Sequence, residues 1–203
     1  TVICIATDPA GNKNSCSFTV TVVDSTPPVV TCAANVSAEA TSSSGAAVSY
    51  AAATATDDCD DNVAITYSAA SGSTFAIGTT AVTATATDDN GNVSTCAFDV
   101  TVVDTTAPAI TCSANVSAEA TSSAGAAVSY DVATATDAVD SDVTLSYSAA
   151  SGSTFAIGTT TVTATATDDT NNASTCTFTV TVVDTTVPTI ACPANVSGEA
   201  TSS

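Results

Sequence analysis

The sequence predicts an all-β chain of antiparallel sandwiches set end to end, and three observations carry that prediction. Apolar and polar residues alternate with period two, as in strands with one buried face. Thr and Val, both β-favouring, fill runs that Gly, Asp, Asn and Ser punctuate. The text also repeats: residues 83–108, TATATDDNGNVSTCAFDVTVVDTTAP, return as residues 163–188, TATATDDTNNASTCTFTVTVVDTTVP. Self-similarity at a fixed period marks a modular array.

The period is 80 residues, read from Cys32, Cys112 and Cys192 and again from Cys16, Cys96 and Cys176. Residues 24–103 and 104–183 differ at 21 of 80 positions and read as complete modules. Residues 1–23 match the end of a module and residues 184–203 its start, so the chain reads as a window on a longer array.

Within one module the strands follow in order. VSY places Val48 and Tyr50 on one face, VAITY places Val63, Ile65 and Tyr67, and TFAI places Phe75 and Ile77. AVTATATD turns Val82, Ala84 and Ala86 inward and Thr83, Thr85 and Thr87 outward; CAFDVTVV turns in Cys96, Phe98, Val100 and Val102. About seven short strands in 80 residues make an antiparallel sandwich of immunoglobulin-like shape, and no helix is needed. Ala holds many inward positions, so the core is thin for its size. Cysteines compensate. Cys32 on the first strand and Cys96 on the last can meet where those strands are neighbours, as can Cys112 and Cys176. Closing such a loop is worth ~4–5 kcal/mol in chain entropy. Cys16 and Cys192 are then halves of pairs whose partners lie outside the window; buried free thiols are the alternative that the matched spacing argues against.

These residues resemble the hyalin repeat, an immunoglobulin-like module of extracellular proteins. The marks are DSTPPVVTC (24–32), ATDDC (55–59), SGSTFAIGTTAVTATATDDNGN (71–92) and CAFDVTV (96–102). The resemblance implies adhesion and matrix roles with no catalytic residue set. It also implies a second disulfide from the ATDDC cysteine to the penultimate strand. Here Cys59 supplies one half but Ala84 stands at its partner's place, and the next module has Val139 and Ala164. Cys4 holds the partner position in the preceding fragment, so its mate is expected upstream. Cys59 is thus expected to be unpaired within its module, either as the relic of a lost bridge or as an interchain bond.

The charge narrows function. Twenty acids face one base, Lys13, for a net −19. Nucleic acid and anionic membrane surfaces both need Lys and Arg, so neither is an expected partner, and no stretch reads as a membrane span. Eight cysteines at regular spacing fit an oxidising, extracellular setting, on or outside the cell surface. The lack of His and of CxxC pairs argues against zinc and haem sites.

In an immunoglobulin-like sandwich the B–C and F–G loops emerge at the end where the first strand begins. The acids gather there. In the first complete module they are Asp57, Asp58, Asp60 and Asp61, then Asp88 and Asp89, with linker Asp24. In the second they are Asp137, Asp140 and Asp142, then Asp168 and Asp169, with linker Asp104. Such crowding calls either for loops splayed into solvent or for a cation. Ca²⁺, which takes six to eight oxygen ligands in flexible geometry, suits the second case. The linkers are short and carry Pro27, Pro28, Pro108 and Pro188, which stiffen them. Stacked modules would then add ~35–45 Å each to a rod, at ~3.3 Å per strand residue.

No enzyme is expected: there is no His, and the Asp88/Asp89 pair recurs in both modules where a catalytic site needs one copy. The favoured reading is a disulfide-stapled extracellular stalk or filament whose partners are its own repeats. The alternative is an adhesin-type module recognising a cell-surface or matrix protein or a glycan, for which the varied B–C loop (58, 59, 61, 62) speaks. Asn35, Asn92, Asn115, Asn172 and Asn195 lie in N-x-S sequons, two signals copied by the repeat.

Overall fold

The structure, a computed structural model, describes residues 1–200 and comprises two compact units, the first Thr1–Asp104 and the second from Thr105 onward. No helix occurs among the described residues.

The first unit opens with a hairpin of β1 (Val2–Thr7) and β2 (Lys13–Phe18), in which Cys4 lies directly across from Cys16. A sandwich follows from β3 (Val29–Thr31), β4 (Val36–Glu39), β5 (Ala46–Ala47), β6 (Thr54–Thr56), β7 (Ala64–Tyr67), β8 (Thr74–Phe75), β9 (Gly78–Thr87) and β10 (Val93–Val103). One layer is a four-stranded sheet in the order β4-β10-β9-β7; the other consists of the antiparallel pairs β3–β6 and β5–β8. β4 runs parallel to β10, and the remaining neighbours in the sheet are antiparallel.

Strand alternation puts Val82, Ala84, Ala86, Val100 and Val102 out of reach of solvent, with Phe98, Phe75, Val48 and Tyr50 closing the core. Tyr50 packs edge-on to Phe98 (centroids 4.8 Å apart, 68°) and its hydroxyl donates to the Ala69 carbonyl. The Tyr67 hydroxyl accepts from the Ala53 N–H at 2.7 Å. Both tyrosines thus bring their polar ends to a backbone partner, as a thin core demands.

Two sequence expectations change. The first strand, which leads into Cys32, is not a sheet neighbour of the last. β3 pairs with β6 in one layer, and β4 pairs with β10 in the other. The chain crosses between layers at residues 32–35, so the Cys32–Cys96 disulfide (Cα–Cα 5.8 Å) ties layer to layer at the crossing. Nor is Ile77 inward: β8 stops at Phe75, the chain bends, and Gly78 (φ 113°) opens β9, leaving Ile77 43 % exposed. The alternation that set Ile77 beside Phe75 ends where the strand does.

A tight turn seals the other end. Gly45 (φ 102°) donates to the Ser42 carbonyl at 2.8 Å, and a Cβ placed there would sit 1.8 Å from the Phe75 carbonyl oxygen. Only glycine fits.

The second unit repeats this plan with β11 (Ala109–Thr111), β12 (Val116–Glu119), β13 (Ala126–Ala127), β14 (Thr134–Thr136), β15 (Thr144–Tyr147), β16 (Thr154–Phe155), β17 (Gly158–Thr167) and β18 (Ala173–Val183). Its sheet order is β12-β18-β17-β15, with pairs β11–β14 and β13–β16. Its core joins Val128, Tyr130, Phe155, Val162, Phe178, Val180 and Val182, and Cys112–Cys176 spans its layers. Pro28 in the first unit and Pro108 in the second are both buried, and the Pro108 carbonyl accepts from the Ser174 hydroxyl.

Candidate functional site

The β9–β10 turn is built around Asp88. Its Oδ1 accepts from the backbone N–H groups of Asn90 (3.0 Å) and Asn92 (2.7 Å), and its Oδ2 accepts from the Asn92 side-chain amide (2.7 Å). Burial opposes the Asp88 charge most strongly, yet the Asn92 amide and the N–H groups of Asn92, Asn90 and Gly91 together outweigh it. Its pKa therefore falls below the ordinary value. Asp168 stands in the same balance of burial against Asn172 and Thr170, with Asn172 donating at 2.7 Å (N) and 2.9 Å (Nδ2). Asp8 and Asn12 build the turn a third time between β1 and β2. An Asp four residues before an Asn is therefore the clasp of this hairpin.

That clasp gathers the first unit's acids. The Asn92 amide also reaches the Asp24 carbonyl at 3.4 Å, and Asp60 Oδ2 accepts from the Asp89 N–H at 3.0 Å. Linker, β6–β7 loop and β9–β10 turn meet. One carboxylate oxygen from each of Asp24, Asp60 and Asp88 lies within 4.8 Å of the others, and Asp24, Asp57 and the Cys59 thiol form a second such group. Asp88 is buried, and Asp24, Asp57 and Asp60 are half-buried. Asp24 Oδ2 is shielded from solvent and has no hydrogen-bond partner. At this spacing two like charges repel by ~1 kcal/mol in water and ~4 kcal/mol near a protein surface. Asp58, Asp61 and Asp89 point outward, and Asp89 contributes its backbone N–H instead.

In the second unit Asp137 Oδ1 accepts from the N–H groups of Val139 (2.8 Å) and Asp140 (3.2 Å), folding its loop into a turn, while Asp142 and Asp169 are exposed. Asp104, which follows β10, is buried.

Cys4, Cys16, Cys59 and Cys192 carry free, exposed thiols. Asp24 first, then burial and the charges of Asp57, Asp58 and Asp60, push the Cys59 thiol pKa up, which keeps it protonated and a poor nucleophile.

The sequons part company. Asn35 and Asn115 are exposed, each with Oδ1 accepting a backbone N–H, from Asp99 (2.9 Å) and Thr179 (2.8 Å) respectively. Asn92 and Asn172 are half-buried in the clasp, and Asn195 is exposed.

Sequence reasoning passed over Glu119. Its carboxylate accepts from the Thr185 N–H (2.6 Å), the Thr185 hydroxyl (3.0 Å) and the Thr186 hydroxyl (3.2 Å), holding the segment that leaves β18. The Thr185 N–H foremost, with the hydroxyls, lowers its pKa. The signal was present: the chain's only glutamates are Glu39, Glu119 and Glu199, one at the same place in each copy.

The HYR domain family matches residues 23–102 and 103–182. The chain is 40% identical over 201 residues to Hyalin of Strongylocentrotus purpuratus, covering 94% of this chain and 17% of that protein. It is 40% identical over 117 residues to Hyalin of Lytechinus variegatus, covering 55% of this chain and 22% of that protein. The chain thus spans about a fifth of the length of these relatives. Among solved structures, Drosophila N-cadherin EC1-4 aligns with a TM-score of 0.41 at 13% identity, over 78% of this chain and 50% of that one. Two copies of one disulfide-tied sandwich, each spanned by the same family match, give the chain its identity: it belongs to the HYR domain family.

Proposed function

We propose that this chain is part of an extracellular architectural protein, a rod of HYR modules clamped by Ca²⁺ where linker and loops meet. The observation that carries the reading is the acid cluster of the first unit, where Asp24, Asp60 and Asp88 converge and Asp24 Oδ2 is shielded and unbonded. A shielded carboxylate oxygen facing other carboxylates suits a divalent cation, since Lys13 is the chain's only basic side chain. Asp24, Asp57, Asp60 and Asp88 offer the hard oxygens that Ca²⁺ takes, and Asp24 belongs to the linker. An ion held there would fasten linker to sandwich. The disulfides support an oxidising, extracellular location. The repetition of the clasp supports architecture over catalysis, and self-association or neighbouring repeats as the partners.

Equilibrium dialysis tests the clamp. Ca²⁺ should bind the chain, and Asp24→Asn with Asp60→Asn should remove one bound ion without lowering thermal stability in EDTA, where it relieves carboxylate repulsion. Absence of bound Ca²⁺ at millimolar free ion sinks the clamp. X-ray scattering tests the rod: a longer, stiffer particle with Ca²⁺ supports it, and modules swinging freely despite Ca²⁺ refute it. A second reading, a receptor-binding module, draws on the outward-facing and divergent β6–β7 loop, where Asp58, Cys59 and Asp61 become Ala138, Val139 and Ser141.

A further inference from the structure

We infer that Asn35 and Asn115 are N-glycan acceptors, that Asn92 and Asn172 are structural despite carrying the same sequon, and that the sugar covers an open sheet edge. The chemistry takes place at Nδ2. A transferase joins that nitrogen to the anomeric carbon of a lipid-diphosphate-linked oligosaccharide; the carbon–oxygen bond to the diphosphate breaks, the lipid diphosphate leaves, and the Nδ2 proton passes to base. The folded product must then leave Nδ2 facing solvent with room for a sugar.

Asn35 and Asn115 meet that demand. Each spends Oδ1 on a backbone N–H of the neighbouring strand, Asp99 at 2.9 Å or Thr179 at 2.8 Å. A donor partner requires the oxygen to face it, so Nδ2 is turned the other way. Both residues are exposed, and so are Ser37 and Ser117, which complete the sequons. Asn92 and Asn172 fail it. Both amide hydrogens of Asn92 are engaged, by Asp88 Oδ2 (2.7 Å) and the Asp24 carbonyl (3.4 Å). Those of Asn172 reach Asp168 Oδ2 (2.9 Å) and Thr170 Oγ1 (2.7 Å). A sugar on either nitrogen would open the clasp.

The position gives the glycan work to do. Asn35 immediately precedes β4 and Asn115 precedes β12, the strands that end each four-stranded sheet. An edge strand presents unpaired backbone groups that invite pairing with a second chain, and natural sheets cover such edges. A branched sugar at the head of β4 or β12 shields that edge and so opposes edge-to-edge association of two copies.

The test is secretion of the whole chain from an N-glycosylating animal cell line. Enzymatic deglycosylation in ¹⁸O-water then marks each occupied Asn. Digestion should use a protease that cuts at Asp, since a single Lys makes trypsin useless. Occupancy of Asn35 and Asn115 in most molecules, with Asn92 and Asn172 bare, is the expected result. Bare Asn35 or Asn115, or equal occupancy at Asn92 and Asn172, overturns the assignment. Asn→Gln at the acceptors also disturbs the bond to β10 or β18. The paired variant Ser37→Ala and Ser117→Ala spares it while removing the sequon. That variant should lose the sugars at Asn35 and Asn115 and sediment as larger, concentration-dependent species than the glycosylated chain; equal sedimentation of the two overturns the shielding role. Neither readout depends on calcium, so this inference and the clamp stand or fall separately.

Discussion

Asn171 holds a left-handed φ of 71° at the place where the first module has Gly91 at 86°. The clasp demands that conformation, because the residue must turn back so that the next one can meet the carboxylate of Asp88 or Asp168. Glycine adopts it freely, Asn tolerates it through local hydrogen bonding, and other L-residues lose ~1–2 kcal/mol. Gly91→Ala should therefore destabilise the first unit by about 1–2 kcal/mol in urea unfolding, and Gly91→Asn by clearly less. Equal losses for the two variants would show that φ is not the constraint. At the same scale, the acid field around Cys59 opposes thiolate formation and so slows thiol–disulfide exchange at this site.

At the level of elements, the break between β3 and β4 matters most, because it lets one short stretch serve both layers. The layers share few large side chains, and Ala84, Ala86, Ala164 and Ala166 fill core sites where larger residues would add more. The disulfides make up part of that deficit. Cys112→Ala with Cys176→Ala, opening a link across 64 residues, should lower the second unit's unfolding free energy by about 4 kcal/mol in the chain-entropy estimate. Two-step denaturation would read this, with the first unit's transition as internal control. A second device is the Thr ladder: Thr159, Thr161, Thr163 and Thr165 of β17 lie opposite Thr181, Thr179, Thr177 and Thr175 of β18. Thr159 and Thr181 join hydroxyls at 3.2 Å, and cross-strand Thr pairs contribute ~0.2–1 kcal/mol each.

For the whole molecule, acid is the defining property, and it does not act in one direction. Asp88 and Asp168 are buried carboxylates whose hydrogen bonds lower their pKa despite burial, and hydrogen bonds lower that of the exposed Glu119 as well. A depressed folded pKa contributes stability that is present above the unfolded value and lost as pH falls through the folded one. For the two aspartates the loss therefore begins below the ordinary 3.8, and for Glu119 below 4.5. Carboxyl NMR titration should show Asp88 and Asp168 ionised to lower pH than an ordinary aspartate. Asn92→Leu should raise the Asp88 midpoint and leave Asp168 where it was. An unmoved Asp88 would mean that Asn92 is not what holds its charge.

Period-two alternation made Val82, Phe98, Val100 and Val102 legible as core, and the 80-residue period made the two sandwiches legible, because both signals are local or copied. Ile77 was misread because alternation says nothing about where a strand stops, and its bend comes from packing around Phe75 and Gly78. The acids were legible as a group from their loops, but three loops far apart in sequence decide which carboxylates converge, and Asp60 enters while Asp61 turns outward. Five sequons look alike as text; only the folded chain separates an exposed Asn35 that offers its oxygen to Asp99 from an Asn92 whose Nδ2 is engaged by Asp88. Composition and repetition thus determined what the modules are. Tertiary structure alone decided which identical side chains are free, since that depends on partners the chain supplies from dozens of residues away.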